Sequence, residues 1–313
     1  MTTDKTITVE VRDLLAEVSQ AIFALTRSAA DPVIESVNAG QQGAVFALMS
    51  ATGVAPKAVT AADVVRRFPY SAVSIQEKPL AVAAELGYLT PTADGAYRLT
   101  DAGQAALNRL LVAFQQRLGE LEPALAAAIS IDDLAYTADD LMRLADACRT
   151  SAIDTWGTQM SHNLAAKKPV VALAHIDQAI DDLTAFRDDA HIAAWRPYNI
   201  SAPAWEMFTF LWRGEVKNAV EFAEKAQRRG HTPEVYAAAL AELIDRGWVQ
   251  AASDETYTLT VTGREVRDMA EVETDRLYFA PWAVLSDTQL TSLAERLTRL
   301  KAGLAQLAEP VPA

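Results

Sequence analysis

The residue types that most often carry chemistry are few in this chain and do not form a recognisable active site. Three of its four histidines fall within 30 residues of one another, with several aspartates nearby: His162, His175, His191, Asp177, Asp181, Asp188 and Asp189. No two histidines have the i, i+4 spacing of a helical zinc site. There is also no GxSxG elbow, glycine-rich phosphate loop or dinucleotide fingerprint. We therefore expect neither an enzyme nor a bound metal or cofactor.

The single cysteine, Cys148, ends a leucine-striped helical pattern. The negative charge of Asp146 offsets the positive charges of the nearby Arg143 and Arg149. Because a reactive thiol needs an electropositive setting, we expect a buried structural thiol instead. One cysteine excludes an internal disulfide framework and fits a reducing compartment. No apolar run approaches the ~20 residues that cross a bilayer, and the N-terminus lacks the pattern of a signal peptide. These features predict a cytoplasmic protein without a membrane partner.

Composition indicates a folded, helix-rich chain that is too acidic for an ordinary nucleic-acid binder. Of the 313 residues, 50% are hydrophobic and 22% are charged, and the net charge is -13. This length corresponds to about two domains. Because the neutralisation of phosphates supplies most of the affinity for DNA, an acidic net charge argues against a nucleic-acid-binding protein. It does not exclude it, since only the contacting face must be basic.

The chain repeats one sequence block. Residues 85–103 read ELGYLTPTADGAYRLTDAG, and residues 245–263 read DRGWVQAASDETYTLTVTG. A shift of 160 positions aligns Gly87 with Gly247 and Gly103 with Gly263 without a gap. Two further blocks correspond in the same order: 46–53 with 208–215, and 137–145 with 286–294. We interpret this pattern as a duplication that divides the chain into units 1–156 and 157–313.

Each unit is predicted to contain three short helices, a β-hairpin and a long helix. Thr60 and Asp63 form a capping-box pattern before the second helix of the first unit. Its third helix should begin near Ser71, bend or start later because of Pro79, and bury four apolar residues: Val73, Leu80, Ala84 and Leu86. An Asp-Gly turn marks a hairpin over about 89–100, and Thr100 caps the long helix.

The second unit follows the same plan. Its third helix should begin at Pro233, which suits the first position of a helix. A hairpin is predicted over about 248–260, and a long helix after Thr262. A plain helical bundle with one incidental hairpin is the alternative. Because the hairpin recurs at the same place, we predict a mainly α fold with small β-hairpin wings (α+β), built from tandem winged helix-turn-helix units.

The blocks LGYL…YRLTDAG and RGWV…YTLTVTG resemble the MarR family of winged-helix regulators. The segments YTADDLMRLADAC and LSDTQLTSLAERLTRL resemble the C-terminal helix of that family. Family members pair as homodimers through terminal helices and bind palindromic operators. The resemblance implies a single-chain pseudo-dimer, as a monomer or a further homodimer, with stretches 7–28 and 171–193 in a shared helical base. Its expected function is DNA-binding transcription regulation.

The resemblance places DNA contacts on the second helices, the third helices and the wings. Lysine and glutamine read base edges, while serine and threonine bind phosphates. The implied contacts are Lys57, Arg66, Arg67, Ser71, Ser74, Gln76, Lys78, Arg98, Lys217, Lys225, Arg228, Arg229, His231, Thr232 and Tyr236. Glu234, on the third helix of the second unit, would repel a duplex unless it reads a cytosine. The same residues could instead form solvated helix faces.

Aromatic residues crowd the start of the second unit. MarR-like proteins bind small phenolic ligands between the helical base and the winged domain, so the resemblance implies a small aromatic ligand here. The residues concerned are Trp195, Arg196, Tyr198, Trp205, Phe208 and Trp212. Aromatic residues at helical spacing also suit a hydrophobic core, and that alternative stays open.

The wings depart from the family pattern. They read TADGAYR and ASDETYT, without an arginine at the tip, and the second carries Asp254 and Glu255. Thr90 and Gln250 stand where the family usually has an arginine. These departures and the acidic total favour an alternative function, a winged-helix scaffold that no longer binds DNA and serves protein interaction or small-molecule binding. The basic second helices favour the regulator.

Overall fold

The computed structural model describes residues 5–165, 171–252 and 255–308. Its first half contains helices and a hairpin in this order: α1 (Lys5–Asn38), α2 (Ala44–Val54), α3 (Ala61–Arg67), α4 (Val73–Glu85), β1 (Leu89–Pro91), β2 (Tyr97–Leu99), α5 (Asp101–Ala124), α6 (Ile131–Arg149) and α7 (Trp156–His162). The second half contains α8 (Ala172–Trp195), α9 (Ala202–Trp212), α10 (Ala219–Lys225), α11 (Pro233–Asp245), β3 (Val249–Ala251), β4 (Tyr257–Leu259), α12 (Val261–Phe279) and α13 (Asp287–Ala308). The prediction of a mainly helical chain with two small antiparallel hairpins is confirmed.

The two hairpins are built by the same local chemistry. Leu89 pairs with Leu99 in the first hairpin, and Val249 pairs with Leu259 in the second. A third segment joins each hairpin, because the Tyr97 N–H donates to Val59 O and the Tyr257 N–H donates to Lys217 O, both at 2.8 Å. The order of three short helices, hairpin and long helix thus occurs twice.

A threonine and a glycine fix the entry into each long helix. Thr100 Oγ1 accepts from the Gly103 N–H and donates to Gly87 O, and Thr260 makes the equivalent bonds to Gly263 and Gly247. A Cβ atom on Gly103 would collide with the Tyr88 carbonyl oxygen, and one on Gly263 would collide with that of Trp248. The glycine of the repeated Leu-Thr-x-x-Gly sequence therefore packs so closely against the backbone that no larger residue fits at this position.

A helical base joins the two halves. The long terminal helices α1 and α13 pack along each other, and α6 packs on α8. The core between them includes Val18, Leu141, Phe186, Trp282 and Leu297, all of which are fully buried. The predicted base stretch 7–28 lies in α1, and the stretch 171–193 lies in α8 except for residue 171, which precedes that helix. None of the described helices is long and apolar enough to cross a membrane.

Helix α4 starts later than Ser71, which is one of the two expected alternatives, whereas α12 starts earlier than expected. Helix α4 begins at Val73, which sits in an exposed first turn at 47% exposure, so the expectation that Val73 is buried is wrong. Leu80 is buried as expected. Pro79 lies inside α4 without ending it. Helix α12 begins at Val261, before the position expected, because Thr260 is the residue whose side chain caps it.

Candidate functional site

The expected recognition helices, α4 and α11, begin side by side. The Ala72 N–H, which precedes α4, donates to Arg229 O at 2.7 Å. His231 Nε2 lies 3.1 Å from Tyr70 O, and Gly230 faces the Ile75 side chain. We call this contact between residues 70–75 and 229–231 the junction. It joins the turn before α4 to the turn before α11.

The junction limits how far apart the two helices can lie. Four residues lead from Arg229 to Pro233, the first residue of α11, and span at most about 14 Å. With the hydrogen bond at Ala72, the starts of α4 and α11 are within about 20 Å of each other. In helix-turn-helix dimers that read two half-sites, the centres of the half-sites lie about 34–36 Å apart. The first residues of α4 and α11 therefore lie closer together than that spacing.

A buried polar network supports the junction. Tyr70 stacks beside Trp195 and donates its hydroxyl to His191 Nε2 at 3.1 Å. That nitrogen lies 3.4 Å from the Trp205 indole N–H, which can only donate, so His191 Nε2 is the acceptor. His191 Nδ1 then donates to Thr274 Oγ1 at 3.3 Å. Burial, reinforced by Arg267, lowers the pKa of His191 to about 4, which keeps the imidazole neutral.

Several expected phosphate contacts are paired with carboxylates of the chain itself. Arg66 bonds Asp154 at 2.8 Å, and Arg67 bonds Asp188 at 2.8 Å. Lys225 lies 3.5 Å from Glu215. Arg229 donates from Nε and Nη2 to Glu206 Oε1 at 2.9 and 2.6 Å. A cation held in this way must break its ion pair before it can neutralise a phosphate.

The burial of Glu206 gives its ion pair with Arg229 a structural role. Its side chain is only 6% exposed, and Oε2 is buried without a hydrogen-bond partner in the described part of the chain. Burial raises the pKa of Glu206, and the Arg229 guanidinium opposes that rise. The guanidinium also lies 5.7 Å from the centre of the Tyr70 ring. Arg229 therefore holds a buried carboxylate at the junction.

Other expected DNA contacts are themselves buried. Ser71, Gln76 and Tyr236 are each less than 9% exposed, and the Tyr236 hydroxyl donates to Ala226 O. The expectation that these three face a duplex does not fit this geometry, since Ser71 is buried in the turn before α4, and Gln76 and Tyr236 lie on the inner sides of α4 and α11. His231 is half-buried at the junction.

The remaining expected contacts are exposed but share their surface with acidic residues. Ser74 and Lys78 lie beside Glu77 on the outer side of α4, and Thr232 precedes Glu234 on α11. Helix α11 contains no lysine or arginine at all. Within the described residues, five of the expected basic contacts have no carboxylate partner: Lys57, Lys78, Arg98, Lys217 and Arg228. Arg98 donates to Pro56 O at 3.4 Å. In the second wing, Asp254 lies outside the described residues.

The aromatic residues expected to bind a ligand form a core. Trp205 and Phe208 are fully buried, and Trp195 is 5% exposed. The Trp205 ring stacks between those of Trp195 and Tyr198, at centroid distances of 5.9 and 5.6 Å. At the edge of this core, Trp212 donates to Asp268 at 2.8 Å, while Arg196 pairs with Asp154. The cluster supports the second half of the chain.

A cavity of about 790 Å³ lies elsewhere, between α1, α5, α6, α7 and α8. One wall is apolar and includes Ile22, Phe23, Leu111, Phe114 and Leu118. The opposite wall carries His162, His175, Asp146, Asp177, Asp181 and Asp182. Its volume is that of a pocket for a small organic molecule, which typically measures about 300–1,000 Å³.

A family model described as a helix-turn-helix family matches residues 102–309, about two thirds of the chain. The chain belongs to this helix-turn-helix family. No curated protein and no solved structure matches it. The matched segment contains α9–α12, whereas α2–α4 lie before it. Helix-turn-helix proteins typically bind DNA and are not enzymes, so membership makes duplex DNA a partner to test.

Sequence reasoning on this helix-turn-helix protein missed the junction and the cavity. His162, His175, Asp177 and Asp181 were considered only as metal ligands, and the described residues contain no His, Cys, Asp or Glu group placed to hold a metal ion. The i, i+4 spacing of Asp177 and Asp181 along α8 is the sequence signal for one polar wall. Cys148 is buried, and burial raises the pKa of its thiol.

Proposed function

We propose that this chain is a single-chain pseudo-dimer of MarR-like winged-helix units, 1–156 and 157–313, that works as a small-molecule-binding protein. The observation that carries the proposal is the cavity of about 790 Å³ in the helical base. Its apolar wall offers burial for a hydrophobic body, and its polar wall offers orientation. The tandem plan is supported by the two equivalent hairpin entries at Thr100 and Thr260.

The junction argues against the reading of a palindromic operator. Hydrogen bonds hold the starts of α4 and α11 together, and Arg66, Arg67, Lys225 and Arg229 are engaged in ion pairs. With those four cations paired, fewer positive charges are free to displace the counterions of a duplex. The scaffold function therefore accounts for the geometry better than a two-headed DNA reader.

A blocking variant tests small-molecule binding. Gln115 lines the cavity, whereas its neighbour Gln116 is exposed and does not. We expect some compounds from a library of hydrophobic small molecules to raise the melting temperature of the wild-type protein and of Gln116→Trp. The same compounds should stabilise Gln115→Trp less, because the indole occupies part of the cavity. No hit, or hits that stabilise Gln115→Trp as much as Gln116→Trp, would overturn the proposal.

DNA-binding transcription regulation is the second candidate function. Membership in a helix-turn-helix family favours it, and so do the unpaired cations Lys57, Lys78, Lys217 and Arg228. Fluorescence anisotropy with a mixed-sequence duplex at 50 and 200 mM salt separates the two functions. A regulator should bind saturably and lose affinity steeply with salt, and Lys57→Glu/Lys78→Glu should weaken it further. The scaffold should show no saturable binding at either concentration.

A further inference from the structure

The acidic wall of the cavity contains two carboxylates that have no partner in the described part of the chain. Asp177 and Asp181 are one turn apart on α8, so both project from one side of the helix. Within the described residues, neither forms a hydrogen bond or an ion pair, and no lysine or arginine lines the cavity. This absence distinguishes them from the acidic residues around them.

The neighbouring carboxylates are already satisfied. Asp182 accepts from Ser161 Oγ at 2.7 Å and from Gln178 Nε2 at 2.8 Å, and its other oxygen lies 3.0 Å from His162 Nδ1. Asp146 is paired with Arg149 at 2.7 Å. Among the described residues, Asp182 and Asp146 thus have counter-groups, whereas Asp177 and Asp181 have none.

We propose that this cavity binds an organic cation, a protonated amine on an apolar body, with the ammonium between Asp177 and Asp181 and the body against Phe23, Leu111 and Phe114. The inference rests on the proposed small-molecule function and names its ligand class. A cation removes the repulsion between the two carboxylates, and the apolar body covers the opposite wall. An anion would add a like charge beside two unpaired acids.

Proton binding competes with such a ligand. Desolvation raises the pKa of the half-buried Asp177 to about 6, and desolvation together with the charges of Asp177 and Asp182 raises the pKa of Asp181, although Asp181 is exposed. The other titratable groups lining the cavity are Asp146 on α6, His162 on α7, and His175 and Asp182 on α8. Asp177 is therefore ionised at pH 8 and largely protonated at pH 5, and Asp181 takes up a proton more readily than a free aspartate, so cation affinity should increase with pH.

Three probes with one phenylbutyl body test the charge preference by calorimetry. At pH 8, 4-phenylbutylamine should bind at least tenfold more tightly than 4-phenylbutan-1-ol, and 4-phenylbutyrate should bind most weakly. At pH 5.5 the amine should lose at least tenfold in affinity while the alcohol changes less than twofold. The amine keeps its charge over this range, because alkylammonium groups have a pKa near ~10.

Two double variants test whether the preference for the amine arises from Asp177 and Asp181. Asp177→Asn/Asp181→Asn should lower amine affinity at least tenfold and leave the alcohol within twofold. The control Asp132→Asn/Asp139→Asn removes the same charge from exposed positions on α6, outside the cavity, and should change neither. Circular dichroism checks that both variants fold. Equal losses in the two variants would mean that total charge, rather than this site, attracts the amine.

The four histidines report where the amine binds. His162 and His175 line the cavity, whereas His191 and His231 lie at the junction and its supporting network. In proton NMR, the imidazole resonances of the first pair should shift with added amine and those of the second pair should not. If the alcohol or the butyrate binds as tightly as the amine, the cation inference fails and the small-molecule function survives. If none of the three binds, the inference is refuted, and the library screen decides the function independently.

Discussion

The ion pair between Arg229 and Glu206 gives a sharp test of the junction. Arg229 was expected to contact phosphate, but it neutralises a carboxylate that is 6% exposed. Removing one partner of a buried pair costs about 3–5 kcal/mol, since a charge is left unpaired. The Arg229 side chain is 37% exposed, so solvent weakens the pair, and we expect Arg229→Met to cost about 2–3 kcal/mol of unfolding free energy.

Urea unfolding at pH 7.5 measures this cost, with Arg228→Met as the matched control. Arg228 is exposed and has no carboxylate partner within the described residues, so its replacement should change stability by less than about 0.5 kcal/mol. Glu206→Gln combined with Arg229→Met should recover most of the loss, because no buried charge remains. An Arg229→Met protein as stable as the Arg228→Met control would refute a structural role for this arginine.

The same variant should change the pH dependence of stability. Burial already raises the pKa of Glu206, and the loss of Arg229 removes the group that opposes this rise. A raised folded-state pKa means that the folded protein binds the proton more tightly, so stability falls as pH rises above about 4.5. The difference between wild type and Arg229→Met should therefore shrink from pH 8 to pH 5. A difference that stays constant over this range would contradict the assignment.

Three further predictions concern the fold. Gly103→Ala and Gly263→Ala should each lower the free energy of unfolding by more than about 2 kcal/mol, because a Cβ atom would strike a carbonyl oxygen. Gly119→Ala, with open space in α5, should be neutral or stabilising in urea unfolding. Equal effects at all three positions would contradict this prediction. Asp189→Asn should lower the melting temperature, since the Asp189 carboxylate accepts from two backbone N–H groups at the start of α7, and an unchanged value would show that its charge is dispensable. Cys148 should react with Ellman's reagent only after unfolding, as its thiol is buried and its pKa is raised, and rapid labelling of the native protein would disprove this.

Local signals predicted the elements of this fold. The Thr60 and Asp63 capping box, the Asp-Gly hairpin and Pro233 at a helix start all depend on contacts within a few residues. Such contacts are written directly in the sequence. The prediction that Val73 is buried is wrong because its burial depends on which residue begins α4. A shift of two residues rotates a side chain around the helix by more than half a turn.

The candidate site was harder to predict because it depends on long-range packing. Nothing near Arg229 in sequence indicates that Glu206, on another helix, will hold it, or that Tyr70 from the other half will lie against it. The cavity likewise combines an apolar wall from α1 and α5 with an acidic wall from α8. The residue types were visible, but their partners could be found only in three dimensions.

The distance between the starts of α4 and α11 tests the central claim most directly. Ser74 and Thr232 are exposed and carry the labels well, while Cys148 is fully buried and stays unlabelled. Double electron–electron resonance between nitroxides at Ser74→Cys and Thr232→Cys should give a main distance below about 25 Å, with or without a duplex. A main distance of about 34 Å or more, alone or after a duplex is added, would show that the helices separate to read two grooves, and would contradict the account.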